Sequence, residues 1–290
     1  MNKTIISVLA AILILGVAAV AGAGDRDPNT LKVALLPDGN VSTLLKKNEG
    51  FKKYLETQLG KSIELVVTTD YSSMIEAMRH GRLDLAYFGP LSYILAKQKS
   101  TLPIEAFAAQ MSKGSPTYTS VVIGNVAAVV NDIRAIQGKD MAFGDLASTS
   151  SHLIPKAMLK AKGLEAKKDY QEHFVGAHDA VAIAVQNGNA QAGGLSRPIF
   201  DSLVERKVID AKKVQVLEES KPIPNYPWTM RSDLKPALKD KIKSIFLNLK
   251  DPAILKPLKA DGFAPITDKD YDGIRDVGRI LNLDLAKLAG

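Results

Sequence analysis

Asp145-Leu146-Ala147-Ser148-Thr149-Ser150-Ser151-His152-Leu153-Ile154-Pro155 follows the short apolar run Met141-Ala142-Phe143-Gly144 and precedes the helix-forming run Lys156-Ala157-Met158-Leu159-Lys160-Ala161. The order reads as a strand, four hydroxyls in a row, then a helix. The first N–H groups of a helix lack an intrahelical acceptor, and the helix dipole places partial positive charge on them. Hydroxyls beside them add neutral donors, so the stretch is a candidate oxyanion cradle. Taken alone, it reads first as an ordinary Ser/Thr N-cap. The rest of the chain changes that reading.

The strand–helix rhythm extends in both directions. Towards the N-terminus, Leu31–Pro37, Ser62–Thr68, Leu83–Gly89 and Ile104–Ala109 read as strands. Asp38-Gly39-Asn40 reads as a turn after the first of them. Helical spacing runs through Phe51, Tyr54, Leu55 and Leu59 to Gly60, from Tyr71-Ser72-Ser73 through Met74, Ile75 and Met78, and from Pro90 to about Lys97. Thr119–Ile123 is a strand that carries the chain into a second unit. That unit has predicted strands near 141–144, 171–175, 190–194 and 214–217, and helices near 150–162, 179–187 and 197–206. Pro222-Ile223-Pro224-Asn225-Tyr226-Pro227 is a stiff linker, and beyond it helices are expected near 234–249, 251–260 and 268–287, with no strong new strands. Such alternation predicts parallel sheets covered on both faces. The layout is a two-lobed α/β protein whose chain crosses between lobes twice. Residues 25–117 and 226–290 form lobe 1, and 118–225 form lobe 2. Ligands of open α/β sheets sit beyond the carboxyl ends of strands, here a cleft between lobes.

Polar groups recur at those strand ends: Tyr71-Ser72-Ser73, Tyr87 to Ser92, Ser148 to His152, and His178-Asp179. Thr117-Tyr118-Thr119-Ser120 lies where the chain first crosses. Neutral donors of this kind surround an oxyanion and discriminate by geometry and proton count. His178 opens a helix and is a candidate donor, while His80 and His173 read as structural. His152 lies inside the hydroxyl run and reads equally as a surface helix residue. No Gly-x-Ser-x-Gly elbow, Walker loop or Gly-x-Gly-x-x-Gly fingerprint is present, which argues against a hydrolase elbow and a nucleotide site. Ser148, His178 and Asp179 make a poor triad, because adjacent His and Asp at a helix start point apart.

The 290-residue chain contains no Cys and four His, which excludes disulfides, a thiolate metal site and a catalytic thiol and leaves little for a metal cluster. Its formal charge of +7 is spread without basic blocks or interleaved aromatics, so nucleic acid is not an expected partner. A basic field assists capture of a small anion. Lys3, the apolar run Ile5 to Ala21 and Ala21-Gly22-Ala23 read as a cleaved signal peptide over residues 1–24, rather than a membrane anchor. The mature protein is expected to be soluble and periplasmic.

Four motifs carry a resemblance. They are Leu83-Asp84-Leu85-Ala86-Tyr87-Phe88-Gly89-Pro90, Asp145-Leu146-Ala147-Ser148-Thr149-Ser150, His178-Asp179-Ala180 with Ala184-Val185, and Ile223-Pro224-Asn225-Tyr226-Pro227. Across roughly residues 30–285 the chain resembles the phosphonate- and phosphite-binding periplasmic proteins of ABC importers, which are type II solute-binding proteins. The resemblance implies no enzyme activity and no cofactor or metal. It implies a monomer that delivers ligand to an inner-membrane permease. It also implies that Ser148, Thr149 and Ser150 hold the phosphorus oxygens, with Tyr71, Tyr118, Thr119, Ser120, His178 and Tyr226 completing the site. Relatives that bind aminoalkyl phosphonates place acids where this chain has Ser196-Arg197-Pro198 and Asn225-Tyr226-Pro227. An ammonium buried there would lack a counter-charge, and Tyr226 and Trp228 are expected to fill alkyl space. The expected ligand is therefore phosphite, with methylphosphonate or hypophosphite next. A sensing subunit of the same fold and an exported phosphorus-ester hydrolase are the alternatives.

Overall fold

The computed structural model describes residues 24–283. The targeting segment read at residues 1–24 lies outside them except for Gly24, as does the end of the last expected helix. The apolar run Leu31 to Leu35 opens β1 (Thr30–Leu35), and the chain continues through α1 (Val41–Leu59), β2 (Ser62–Val67), α2 (Tyr71–Arg79), β3 (Leu85–Tyr87), α3 (Pro90–Lys99) and β4 (Ile104–Met111). Helix starts follow local capping chemistry. Asn40 and Asp70 accept from the N–H groups of Thr43 and Ser73, and Pro90 enters the first turn of α3.

Crossing strand β5 (Thr117–Tyr118) leads to β6 (Ser120–Asn125), β7 (Lys139–Phe143), α4 (Ile154–Ala161), β8 (Tyr170–Phe174), α5 (His178–Gln186), β9 (Ala192–Ser196), α6 (Arg197–Glu205) and β10 (Val214–Glu219). The return passes through β11 (Ile223–Pro224) to β12 (Pro227–Arg231), α7 (Pro236–Leu247), α8 (Pro252–Leu258), β13 (Gly262–Pro265) and α9 (Asp272–Ile280). No described helix is long and apolar enough to cross a membrane.

Two sheets result. The first has the order β13-β4-β12-β3-β1-β2 and the second β10-β6-β9-β7-β8. Both are mixed, where alternation predicted parallel sheets. β1 runs parallel to β2 and β3, and β7 parallel to β8 and β9. β12 is antiparallel to β3 and β4, β13 to β4, and β6 to β9 and β10. The expectation of a strandless tail is likewise corrected. Every residue of β12 is buried, because it fills the middle of the first sheet instead of lying over it. The two crossings, β5 and β11, pair with each other as a short antiparallel ribbon.

Separate apolar cores lie behind the sheets. One packs α1, α7 and α8 around Phe51, Trp228, Phe246 and Phe263. Two others sit on the second sheet, around Phe143 and Tyr170 and around Leu195 and Phe200. A fourth cluster spans both lobes, joining Tyr71, Met74, Leu91 and Tyr226 with Tyr118, Ala147, Leu153 and Ile154. The cleft lies within this last cluster.

Candidate functional site

The hydroxyl run is shaped by its neighbours. After β7 the Gly144 N–H donates to the Ser151 carbonyl at 2.9 Å, folding the chain back on itself. A Cβ on Gly144 would stand 2.7 Å from Ser151 Oγ, so this approach needs glycine. Ser151 Oγ is tied in turn to the Gly194 carbonyl of β9. Ser148 is the N-cap, its Oγ accepting from the Ser151 N–H at 3.1 Å. Thr149–Leu153 then winds as a single π turn before α4. Wide turns of this type recur at functional sites. Here the turn holds Ser148, Thr149 and Ser150 together, all of them buried.

Around that turn several donors converge. The hydroxyls of Tyr71, Tyr118 and Ser150 are buried and have no hydrogen-bond partner. Tyr71 OH lies towards Ser148, and Tyr118 OH towards the hydroxyls of Ser150 and Thr149, without a hydrogen bond formed in either case. Burial raises both phenols above their ordinary pKa, so they remain O–H donors. His178 is fully buried at the start of α5. Its Nδ1 accepts from the Ser196 N–H at 3.0 Å, which leaves the proton on Nε2, 3.5 Å from Ser148 Oγ. Burial pushes its pKa down to about 3, so this donor is neutral too. Tyr226 packs its ring on Tyr118 and Tyr87, at centroid distances of 5.1 and 5.4 Å.

The remaining sequence-selected residues go elsewhere. Ser120 is buried, but its Oγ donates to the Ser150 carbonyl at 2.7 Å, so it props the turn. Thr119 points away, its hydroxyl donating to Glu219 at 2.5 Å on the outer surface. Arg197, in the place where some relatives carry an acid, also faces outwards, paired with Asp201 and Glu219. Trp228 fills the core behind Tyr87 and not the cleft. His152 is not a surface residue. It is buried against Phe143 and Phe174, with Nδ1 2.8 Å from the Leu146 carbonyl.

Sequence reading missed Asp38. It stands just beyond the carboxyl end of β1, partly buried, with its carbonyl accepting from the His178 N–H at 3.1 Å. Its carboxylate lies in the electrostatic field of Tyr71, Tyr87, Tyr118 and Tyr226. The signal was available, since it occupies the same kind of strand end as the other groups. The turn composition of Asp38-Gly39-Asn40 masked it.

Hydrogen bonds between the two lobes include His178 N–H to the Asp38 carbonyl, Leu91 N–H to Thr149 Oγ1 at 2.8 Å, and Tyr71 N–H to Asp145 Oδ2 at 3.2 Å. In the last two, the N-terminal turns of α3 and α2 find acceptors on the opposite lobe.

A two-lobed α/β fold, paired crossings and a buried ring of neutral donors between the lobes define a type II periplasmic solute-binding protein. The family described as ABC transporter, phosphonate, periplasmic substrate-binding protein matches residues 33–271, and the chain belongs to it. Among curated relatives, the phosphate-import protein PhnD of Mycolicibacterium smegmatis is 30% identical, over 86% of this chain and 85% of that protein. The probable ABC transporter phosphite-binding protein PhnD1 of Prochlorococcus marinus is 28% identical, over 88% of this chain and 91% of that one. The solved structure of PhnD1 from that organism, in complex with methylphosphonate, superposes with a TM-score of 0.80 at 25% identity and covers 88% of this chain and 99% of that one. Proteins of this family bind substrate for a membrane permease and are not enzymes.

Proposed function

We propose that this protein captures a small phosphorus oxyanion in the cleft between its lobes, with phosphite the leading ligand and methylphosphonate next. The observation that carries the reading is the group of buried, unpartnered hydroxyls of Tyr71, Tyr118 and Ser150, gathered with the Nε2–H of His178 around the Ser148–Ser150 turn. A buried polar group without a partner costs about 1–3 kcal/mol, so a cluster of them is a site made for an acceptor. An anion with several oxygens and little bulk matches them. The names of the relatives, for phosphate import, phosphite binding and a methylphosphonate complex, support the same class. Residues 25–117 and 226–290 act as one lobe and 118–225 as the other, closing about the β5–β11 ribbon. The monomer then delivers its ligand to an inner-membrane permease.

Calorimetric titration of the mature chain with phosphite, methylphosphonate, hypophosphite, 2-aminoethylphosphonate and phosphate tests the reading. Tight phosphite binding is expected. Ser148→Ala and Thr149→Ala are each expected to weaken it by about 1–3 kcal/mol. Unchanged affinity in both variants removes the cradle, and phosphate as the tightest ligand moves the assignment to phosphate import.

A further inference from the structure

The neutral ring of donors leaves Asp38 unexplained. An oxyanion set among the Tyr71, Tyr118 and Ser150 hydroxyls comes close to a carboxylate. The other acids nearby are engaged. Asp145 accepts from the Ala147 and Tyr71 N–H groups, and Asp179 from the Ala180 N–H. Asp38 has the phenol of Tyr226 beside its carboxylate. Two negative charges side by side in a desolvated cleft repel strongly unless a proton lies between them.

We propose that Asp38 accepts the ligand's remaining acidic proton, so that the cleft takes the phosphorus oxyanion in its singly protonated P–OH form and refuses anions that have no proton to give. The inference rests on the proposed function and deepens it. The ionised oxygens meet O–H and N–H donors, and the P–OH donates to the carboxylate. A fully deprotonated oxyanion would turn a lone pair towards that carboxylate and leave both acceptors unpaired.

The groups facing Asp38 come from every element around it. Lys47 of α1 attracts its charge and Asp179 of α5 repels it. Neutral His178 lies beside it on α5. The phenols Tyr71 of α2, Tyr87 of β3, Tyr118 of β5 and Tyr226 before β12 complete the surround. Burial, the dominant influence, pushes the carboxyl up to about 6, which suits a group that shares a proton with its ligand near neutrality.

The test is calorimetric titration of the mature wild type and Asp38→Asn with methylphosphonate, with methanesulfonate (a single-charge isostere with no acidic proton) and with 2-aminoethylphosphonate, from about pH 5 to about pH 9. Thermal melting checks that the variant is folded. Wild-type affinity for methylphosphonate is expected to fall about tenfold per pH unit on the alkaline side, as the shared proton is lost. Methanesulfonate is expected to bind about a hundredfold more weakly. Asp38→Asn, offering an amide N–H, is expected to flatten the alkaline fall and to gain methanesulfonate binding. A flat alkaline limb in the wild type, with methanesulfonate still refused by the variant, overturns the role of Asp38 and leaves the proposed function standing. Tighter binding of 2-aminoethylphosphonate than of methylphosphonate, lost in the variant, overturns it as well by assigning the carboxylate to an ammonium. Failure of the wild type to bind either phosphorus ligand overturns both readings.

Discussion

Two imidazoles are held neutral by burial, His178 with its pKa near 3 and His152 with its pKa near 4. For each, the unfolded chain takes up a proton at about pH 6.5 that the folded chain refuses. Their contribution to stability is therefore full above about pH 6.5 and is lost as pH falls towards 4 and then 3. Asp38 acts in the opposite sense, since its raised pKa removes stability as pH climbs from about 4 to about 6. Melting temperature measured against pH is expected to drop on the acid side, and Asp38→Asn to steepen that drop by removing the opposing group. A melting temperature independent of pH between about 6.5 and 4, in both proteins, would contradict the neutral burial of the two histidines. At this scale the gathering of the candidate site's residues was largely legible. Ser148, Thr149, Ser150, Tyr71, Tyr118 and His178 are brought together because each follows the end of a strand or the crossing segment. Thr119 was misassigned for a reason that strand geometry contains: successive side chains alternate faces, so if Tyr118 and Ser120 turn inwards the residue between them turns out.

The element that sets the cradle is the turn between β7 and α4. Its shape depends on two close approaches, Ser151 Oγ against Gly144 and Pro155 against Gly194, where added Cβ atoms would stand 2.7 and 2.4 Å from the opposing atoms. Gly144→Ala is expected to destabilise the protein by about 1–3 kcal/mol in urea unfolding and to weaken ligand binding, because Ser151 moves and carries the Ser148 cap with it. Wild-type stability and affinity together would show that the turn tolerates the methyl. A strand–turn–helix order was readable from the apolar run and the hydroxyls, whereas the π winding was not. The winding arises from the backbone bond between the Leu153 N–H and the Ser148 carbonyl and from contact with β9, which is distant in sequence. β12 escaped notice for a related reason. Its five residues, Pro227 to Arg231, include a proline and an arginine, a poor sign of a central strand. Pro227 lies at its first position, and Arg231 is carried by Asp233 and the Gly81 carbonyl.

For the whole molecule, the two lobes hold each other by contacts of their own. Asp145 reaches across the cleft to the Tyr71 N–H, and Thr149 to that of Leu91. Asp145→Ala is expected to shift the molecule towards the open form and to lower ligand affinity about three- to tenfold, although Asp145 is not placed among the ligand's own donors. Small-angle scattering of the ligand-free protein separates this from direct loss of contact, since the variant should be more expanded than the wild type. Equal dimensions and equal affinity would remove the latch. The two-lobed plan was readable in the alternation of strands and helices and in the proline-rich return. The mixed direction of the sheets was not, because it depends on which distant strands pair and not on local pattern.

The insertion of β12 between β3 and β4 has a consequence for export. A chain translocated with its N-terminus leading would present residues 30–111 first, yet their sheet is missing its central strand until residues 227–231 have followed. Until then β3 and β4 have no shared partner. The leading third of the polypeptide therefore stays short of its native topology while the middle third can already pair its own strands. The order of sheet completion thus runs opposite to the order of arrival.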